Sequence, residues 1–166
     1  MSWQTETVES IRVAIGDLSA SPTYSDARLE RVAVSAAALV VIDVDFNTSY
    51  TVNITSQSIS PDPTSLDPKD LAFIMLVALK SAVLIAKGEM KLGAASGGII
   101  IKDGPSSVDT SNYYMALSGM YRQFLDDYEF LKLNYKYVRS VMNAQAVLSP
   151  STVLYNVYGN LQVLGY

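Results

Sequence analysis

Asp43, Asp45 and Asn47 alternate along a short stretch, the spacing with which a calcium-binding loop opens. Thr48 stands where that loop needs glycine for its sharp turn, and Ile54 where it needs a bidentate glutamate. The stretch therefore reads as the end of a helix followed by a turn. Gly88 and Gly93 have the internal spacing of a phosphate-binding loop, but Ala94 and Ala95 follow in place of Lys and Ser/Thr. Nothing there would hold a β/γ-phosphate or Mg²⁺, so a helix end is the better reading. Gly97-Gly98 alone is a very weak phosphate signal. Asn47-Thr48-Ser49 and Asn53-Ile54-Thr55 match the N-glycosylation pattern by chance. Asp126, Asp127 and Glu129 could do acid–base work in principle. With Lys132 and Lys136 following a turn or two later, they read instead as a solvated, salt-bridged helix face.

Aromatic residues are dense between Tyr113 and Tyr137 and could form a stacking platform for nucleic-acid bases. Such a platform wants Lys or Arg interleaved on the same face. Arg122, Lys132 and Lys136 lie off the aromatic stripe, which favours packing in a core or an interface. The chain contains neither His nor Cys. The commonest general base is therefore missing, and thiolate zinc sites and disulfides are excluded. No catalytic, metal-binding or cofactor-binding residue is expected.

The elements that would position these residues are mostly helical. Val8, Ile11, Ile15 and Leu18 mark a first amphipathic helix over about residues 5–18. A second opens at Tyr24-Ser25-Asp26, with Ser25 or Asp26 as its cap and Leu29, Val32, Ala36, Leu39 and Val40 as its inner stripe. Tyr50, Val52 and Ile54 alternate with polar residues as a half-buried strand does. Pro61-Asp62-Pro63 ends that strand. Asp67 and Pro68 are expected to start a third helix that reaches about Leu92. Its segment Leu71 to Ala86 is apolar apart from Lys80 and Ser81. That run is shorter than the ~20 residues a bilayer needs, and Lys80 falls mid-span, so a buried helix is expected and no membrane.

Ile99, Ile100 and Ile101 make a second strand candidate before the turn signal Asp103-Gly104-Pro105. A fourth helix is expected from Ser111 to about Ala146. Tyr114, Leu117, Tyr121, Phe124, Tyr128, Leu131, Tyr135, Val138 and Met142 step along it by 3 and 4 in strict alternation. That is the repeat of a helix packed along its whole length. Ser149-Pro150-Ser151 breaks the pattern. Val153, Leu154, Tyr155, Tyr158, Leu161, Val163, Leu164 and Tyr166 then form apolar pieces without helical period. The expected class is mainly α. It is a three- to four-helix bundle over residues 1–148, with a small hairpin or sheet from 50–55 and 99–102 and an extended C-terminal arm over 149–166.

At 166 residues there is chain for one core. Hydrophobic residues make up 49% and charged residues only 17%, against the usual ~25%. So little solvated surface fits a subunit whose flanks are covered by other copies. The net charge of −4 does not offer the basic footprint of a nucleic-acid binder. The opening residues lack the basic and apolar regions of a signal peptide, so cytoplasmic synthesis is expected.

Three local patterns and the order of elements resemble the head-to-tail connector proteins of tailed bacteriophages, the adaptor or neck subunits under the portal. The patterns are Tyr24-Ser25-Asp26-Ala27-Arg28-Leu29, Ile59-Ser60-Pro61-Asp62-Pro63, and Ile101 through Asp109. The likeness covers about residues 8–140. It implies a virion subunit, assembled in the host cytoplasm as a homo-oligomeric, dodecameric ring. It further implies docking on the portal protein, a bridge to a tail or neck component, and a central channel through which DNA passes without sequence-specific binding. Interface residues would be Ile99, Ile100 and Ile101 together with the apolar residues of the arm. Two other classes stay open: a different completion protein resembling a tail terminator, which should be strand-rich, and a small cytoplasmic helical enzyme or ligand-binding domain, which would need a polar cleft.

Overall fold

The computed structural model describes the backbone of residues 2–95, 101–103, 106–108 and 111–146, and the side-chain surroundings of residues 2–93 and 115–138. Four helices and two hairpins follow in the order α1 (Trp3–Ile15), α2 (Asp26–Asp43), β1 (Thr51–Asn53), β2 (Ser58–Ser60), α3 (Leu71–Ala95), β3 (Ile101–Asp103), β4 (Ser106–Val108) and α4 (Ser111–Ala146). The fold is mainly α with small antiparallel hairpins, as the sequence pattern predicts. The chain divides into two units, residues 1–132 and 133–166. The arm boundary expected at residue 149 lies outside the described residues.

Helix α1 ends earlier than its apolar stripe suggests. Gly16 adopts φ 73°, a left-handed conformation that glycine takes without a Cβ penalty. The Gly16 and Asp17 amides then close onto the carbonyls of Val13 and Arg12. Leu18, beyond this stop, is 65% exposed, and Trp3 at the other end joins Val8 and Ile11 in the core. On α2 the buried set is Leu29, Ala33, Val34, Ala36, Ala37 and Val40. The inner face is thus turned from the expected one, and Leu39 is exposed. Ala33, Ala36 and Ala37 have no atoms beyond Cβ, so a neighbouring helix can approach closely there. Helices α1, α2 and α3 pack on one another to form the main core.

The expected strand at 50–55 pairs locally. Thr51, Val52 and Asn53 face Ser60, Ile59 and Ser58 across an antiparallel hairpin. Ile54 falls in the turn and is exposed, while Ile59 supplies the buried side chain of the returning strand. Residues 99 and 100 lie outside the described residues, and Ile101–Asp103 does not join this sheet. Ile101–Asp103 pairs instead with Ser106–Val108.

Helix α3 starts three residues later than expected. Asp70, not Asp67, is its cap: the Asp70 carboxylate accepts a hydrogen bond from the Phe73 amide at 3.0 Å. Tyr50 donates its hydroxyl to the other carboxylate oxygen at 2.7 Å, so the hairpin and the start of α3 share one anchor. The Asp67–Pro68 peptide bond is cis and lies in the approach to the helix. Tyr50 stacks on Phe73 at 4.1 Å between centroids, and Phe46 meets both rings edge-on. The α3 segment Leu71–Gly93 is long and apolar enough to cross a membrane by length and composition, and more than half of its most apolar 18-residue window is buried within the molecule.

Helix α4 begins at Ser111 and ends at Ala146, as expected. Within the first unit it runs antiparallel to α3, with Leu117 beside Gly93 and Tyr128 over Lys80. Among residues 115–138 the packing is shallower than the repeat implies, and the stripe residue Val138 is 56% exposed. Leu117, Tyr121, Phe124 and Leu131 are half-buried, and Tyr128 is the one buried side chain among residues 115–138.

Candidate functional site

Three helices deliver charged or polar groups to one point. Asp43 is the last residue of α2, Lys80 sits in the middle of α3, and Tyr128 lies on the inward stripe of α4. The Lys80 ammonium approaches Asp43 Oδ2 at 2.7 Å. The Tyr128 hydroxyl donates to the same oxygen at 2.9 Å. Lys80 Nζ also lies 4.3 Å from the centre of the Tyr128 ring, and Lys132 Nζ lies 5.4 Å from it. Lys132 in turn pairs with Glu129 at 2.5 Å. The sequence pattern puts Lys132 on the outer face. Its four-carbon stem folds back so that the ammonium reaches the aromatic ring, as amphipathic side chains do.

The electrostatics follow from this geometry. Donation from Lys80 holds the Asp43 carboxyl below its ordinary value. Burial acts the other way, and donation from Tyr128 adds to the lowering. Burial first, and then the Asp43 carboxylate, push the Tyr128 phenol well above its ordinary value. Tyr128 is thus a fixed donor and Asp43 a fixed acceptor. A carboxylate at a helix C-terminus faces the negative end of the helix dipole, and Lys80 offsets that cost. The cluster ties helices together, and its side chains satisfy one another.

A second polar knot joins α1 to α2. Arg12 donates to Asp17 at 3.1 Å, to Asp26 at 2.5 Å and to the Tyr24 carbonyl at 2.9 Å. Asp17 accepts from the Thr23 and Tyr24 amides, and these bonds, with Thr23 first, hold its carboxyl below the ordinary value against the effect of burial. Farther along, Glu89 on α3 accepts from the Tyr24 hydroxyl and from Arg28. Lys69 pairs with Glu6 on α1. A shallow concavity of about 260 Å³ lies beside the α2 C-terminus, lined by Val41, Ile42, Val44, Phe46 and Tyr50 with Asp45, Thr48 and Ser49.

Several apolar side chains remain on the surface of the first unit. Ile42 is 80% exposed, Met115 70% and Phe130 68%, and Val13 and Leu92 are comparably open. The expected interface residues Ile99, Ile100, Val153, Leu154, Tyr155, Tyr158, Leu161, Val163, Leu164 and Tyr166 lie outside the described residues. Only the backbone of Ile101 is described, opposite Val108.

The Asp43–Lys80–Tyr128 cluster is absent from the sequence-level reading. Its signals are a lone lysine inside an apolar run and a lone aspartate closing an apolar helix. Each demands a partner, but only the tertiary structure names it. No family model, curated protein or solved structure matches the chain.

Proposed function

We propose that the chain is a structural, self-assembling subunit of the head-to-tail connector of a tailed bacteriophage. In this reading copies form a ring between the portal protein and the tail, with a channel for DNA. The observation that carries the reading is the combination of open apolar side chains, Ile42, Met115 and Phe130 among them, with a charged fraction of only 17%. In the proposed ring, neighbouring copies would cover these side chains. The mainly helical architecture favours a connector over a strand-rich tail terminator. The net charge of −4 suits a channel past which DNA slides, because an acidic wall releases no counterions on contact.

Light scattering on the purified protein, alone and mixed with portal, tests the proposal. Assembly in either sample supports it, including assembly on the portal alone. A strict monomer in both at high concentration overturns it. The arm is tested separately: deleting residues 149–166 should leave the circular dichroism of the helices intact and abolish assembly. Unimpaired assembly of the truncated chain would remove the arm from the proposal.

A further inference from the structure

Helices α1, α2 and α3 pack on one another to form the main core. Its large, fully buried side chains include Ile11, Leu29, Val40, Phe73 and Leu76. From residues 115–132 of α4, Tyr128 alone is buried. Helix α4 is therefore attached through one deeply seated ring, flanked by half-buried neighbours, and through a polar lock.

The character of that lock matters. Asp43 and Lys80 already reach solvent in part, with side chains 35% and 16% exposed. When Tyr128 leaves, Asp43 and Lys80 keep each other and water takes the place of the phenol, so opening strands no unpaired charge in the interior. Opening the α1–α3 core would instead bare a contiguous apolar interior. Local openings of this kind are drawn from segments with few buried apolar groups.

We propose that residues 111–132 of α4 form a releasable element, held shut by Tyr128 against Asp43, Lys80 and Lys132, which undocks while α1, α2 and α3 stay folded. Once undocked, its apolar stripe is bare, and a single helix without tertiary packing is marginal in water. Its amides then exchange with solvent.

Native-state hydrogen exchange of the full chain tests this, following peptides from 115–132 and from 29–40 over a series of low denaturant concentrations. The expected result is an opening constant for 115–132 at least ~100-fold larger than for 29–40, with a weaker dependence on denaturant. Tyr128→Phe should raise the opening constant of 115–132 by roughly ten- to a hundred-fold through loss of a hydrogen bond to a charged acceptor. Should that variant fail to fold, Lys132→Met probes the same lock from the side of the ring. A staple gives the converse. The chain has no cysteine, and a Cβ built on Gly93 lies 3.9 Å from Leu117 Cδ1. The oxidised Gly93→Cys/Leu117→Cys variant should slow 115–132 to the rate of 29–40, and reduction should restore it. One shared opening constant and denaturant slope for both segments would overturn the proposal, as would a staple that leaves 115–132 unchanged.

Discussion

Removing Asp43 should unseat two helices at once. In Asp43→Ala the Tyr128 hydroxyl loses its acceptor in a fully buried position, and Lys80 loses the anion at 2.7 Å. A buried donor left without a partner costs about 1–3 kcal/mol. The Lys80 pair is partly open to water, so its loss adds about 1 kcal/mol or less. The single variant should therefore lose roughly 1–4 kcal/mol, a large share of the ~5–15 kcal/mol of a typical domain. Tyr128→Phe removes the same hydrogen bond from the other side, keeps the ring, and should cost about 1.5–3 kcal/mol because the bond is to a charged acceptor. The two losses share one interaction and should not add. A double-mutant cycle by urea denaturation should return a coupling of roughly 1–2 kcal/mol. A coupling within ~0.3 kcal/mol of zero would mean that α2 and α4 do not meet through these atoms.

The same site predicts the pH response. The folded pKa of Asp43 is lowered, so its contribution is fully present above the unfolded value of about 3.9 and is lost as pH falls through the folded value. Asp43→Asn should accordingly flatten the loss of stability below about pH 4 in acid titrations followed by circular dichroism. Asp17 is lowered too and should contribute in the same direction, so Asp17→Asn should flatten a further part of that limb. Phe73→Ala, at a 1% exposed position stacked on Tyr50, should cost about 3–5 kcal/mol in chemical denaturation. Asp70→Ala should cost about 1–2 kcal/mol, because the α3 cap and the Tyr50 acceptor go together. On α4, Phe124→Ala should cost less than Leu29→Ala on α2, since Phe124 is only half-buried and Leu29 is sealed. The exposed Arg122→Ala should stay within about 0.5 kcal/mol, and a melt that ranked Arg122 as the most damaging of these three would show that the α4 stripe is out of phase.

Local chemistry is what a sequence states directly, and here it determined the helices. The 3-and-4 spacing from Tyr114 to Met142 located α4 from Ser111 to Ala146 because helical periodicity needs no tertiary partner to be visible. The start of α2 at Ser25-Asp26 and the apolar run of α3 were legible for the same reason. Where two local signals competed, packing decided. Both Asp67 and Asp70 could cap α3, and the Tyr50 hydroxyl lies with Asp70. Both Leu39 and Ala37 could face inward from α2, and the small residue does. The hairpin partner of residues 51–53 was hidden because a three-residue strand is too short to show a period, and its turn carries Gln57 at φ 51° in place of a glycine. The Asp43–Lys80–Tyr128 cluster lay furthest from view. Its members are separated by 37 and 48 residues, and each in isolation looks like a helix end, a misplaced charge or one more aromatic. A pattern read along one dimension records which groups need a partner. Only the folding of α2, α3 and α4 against one another brings the partners within 3 Å.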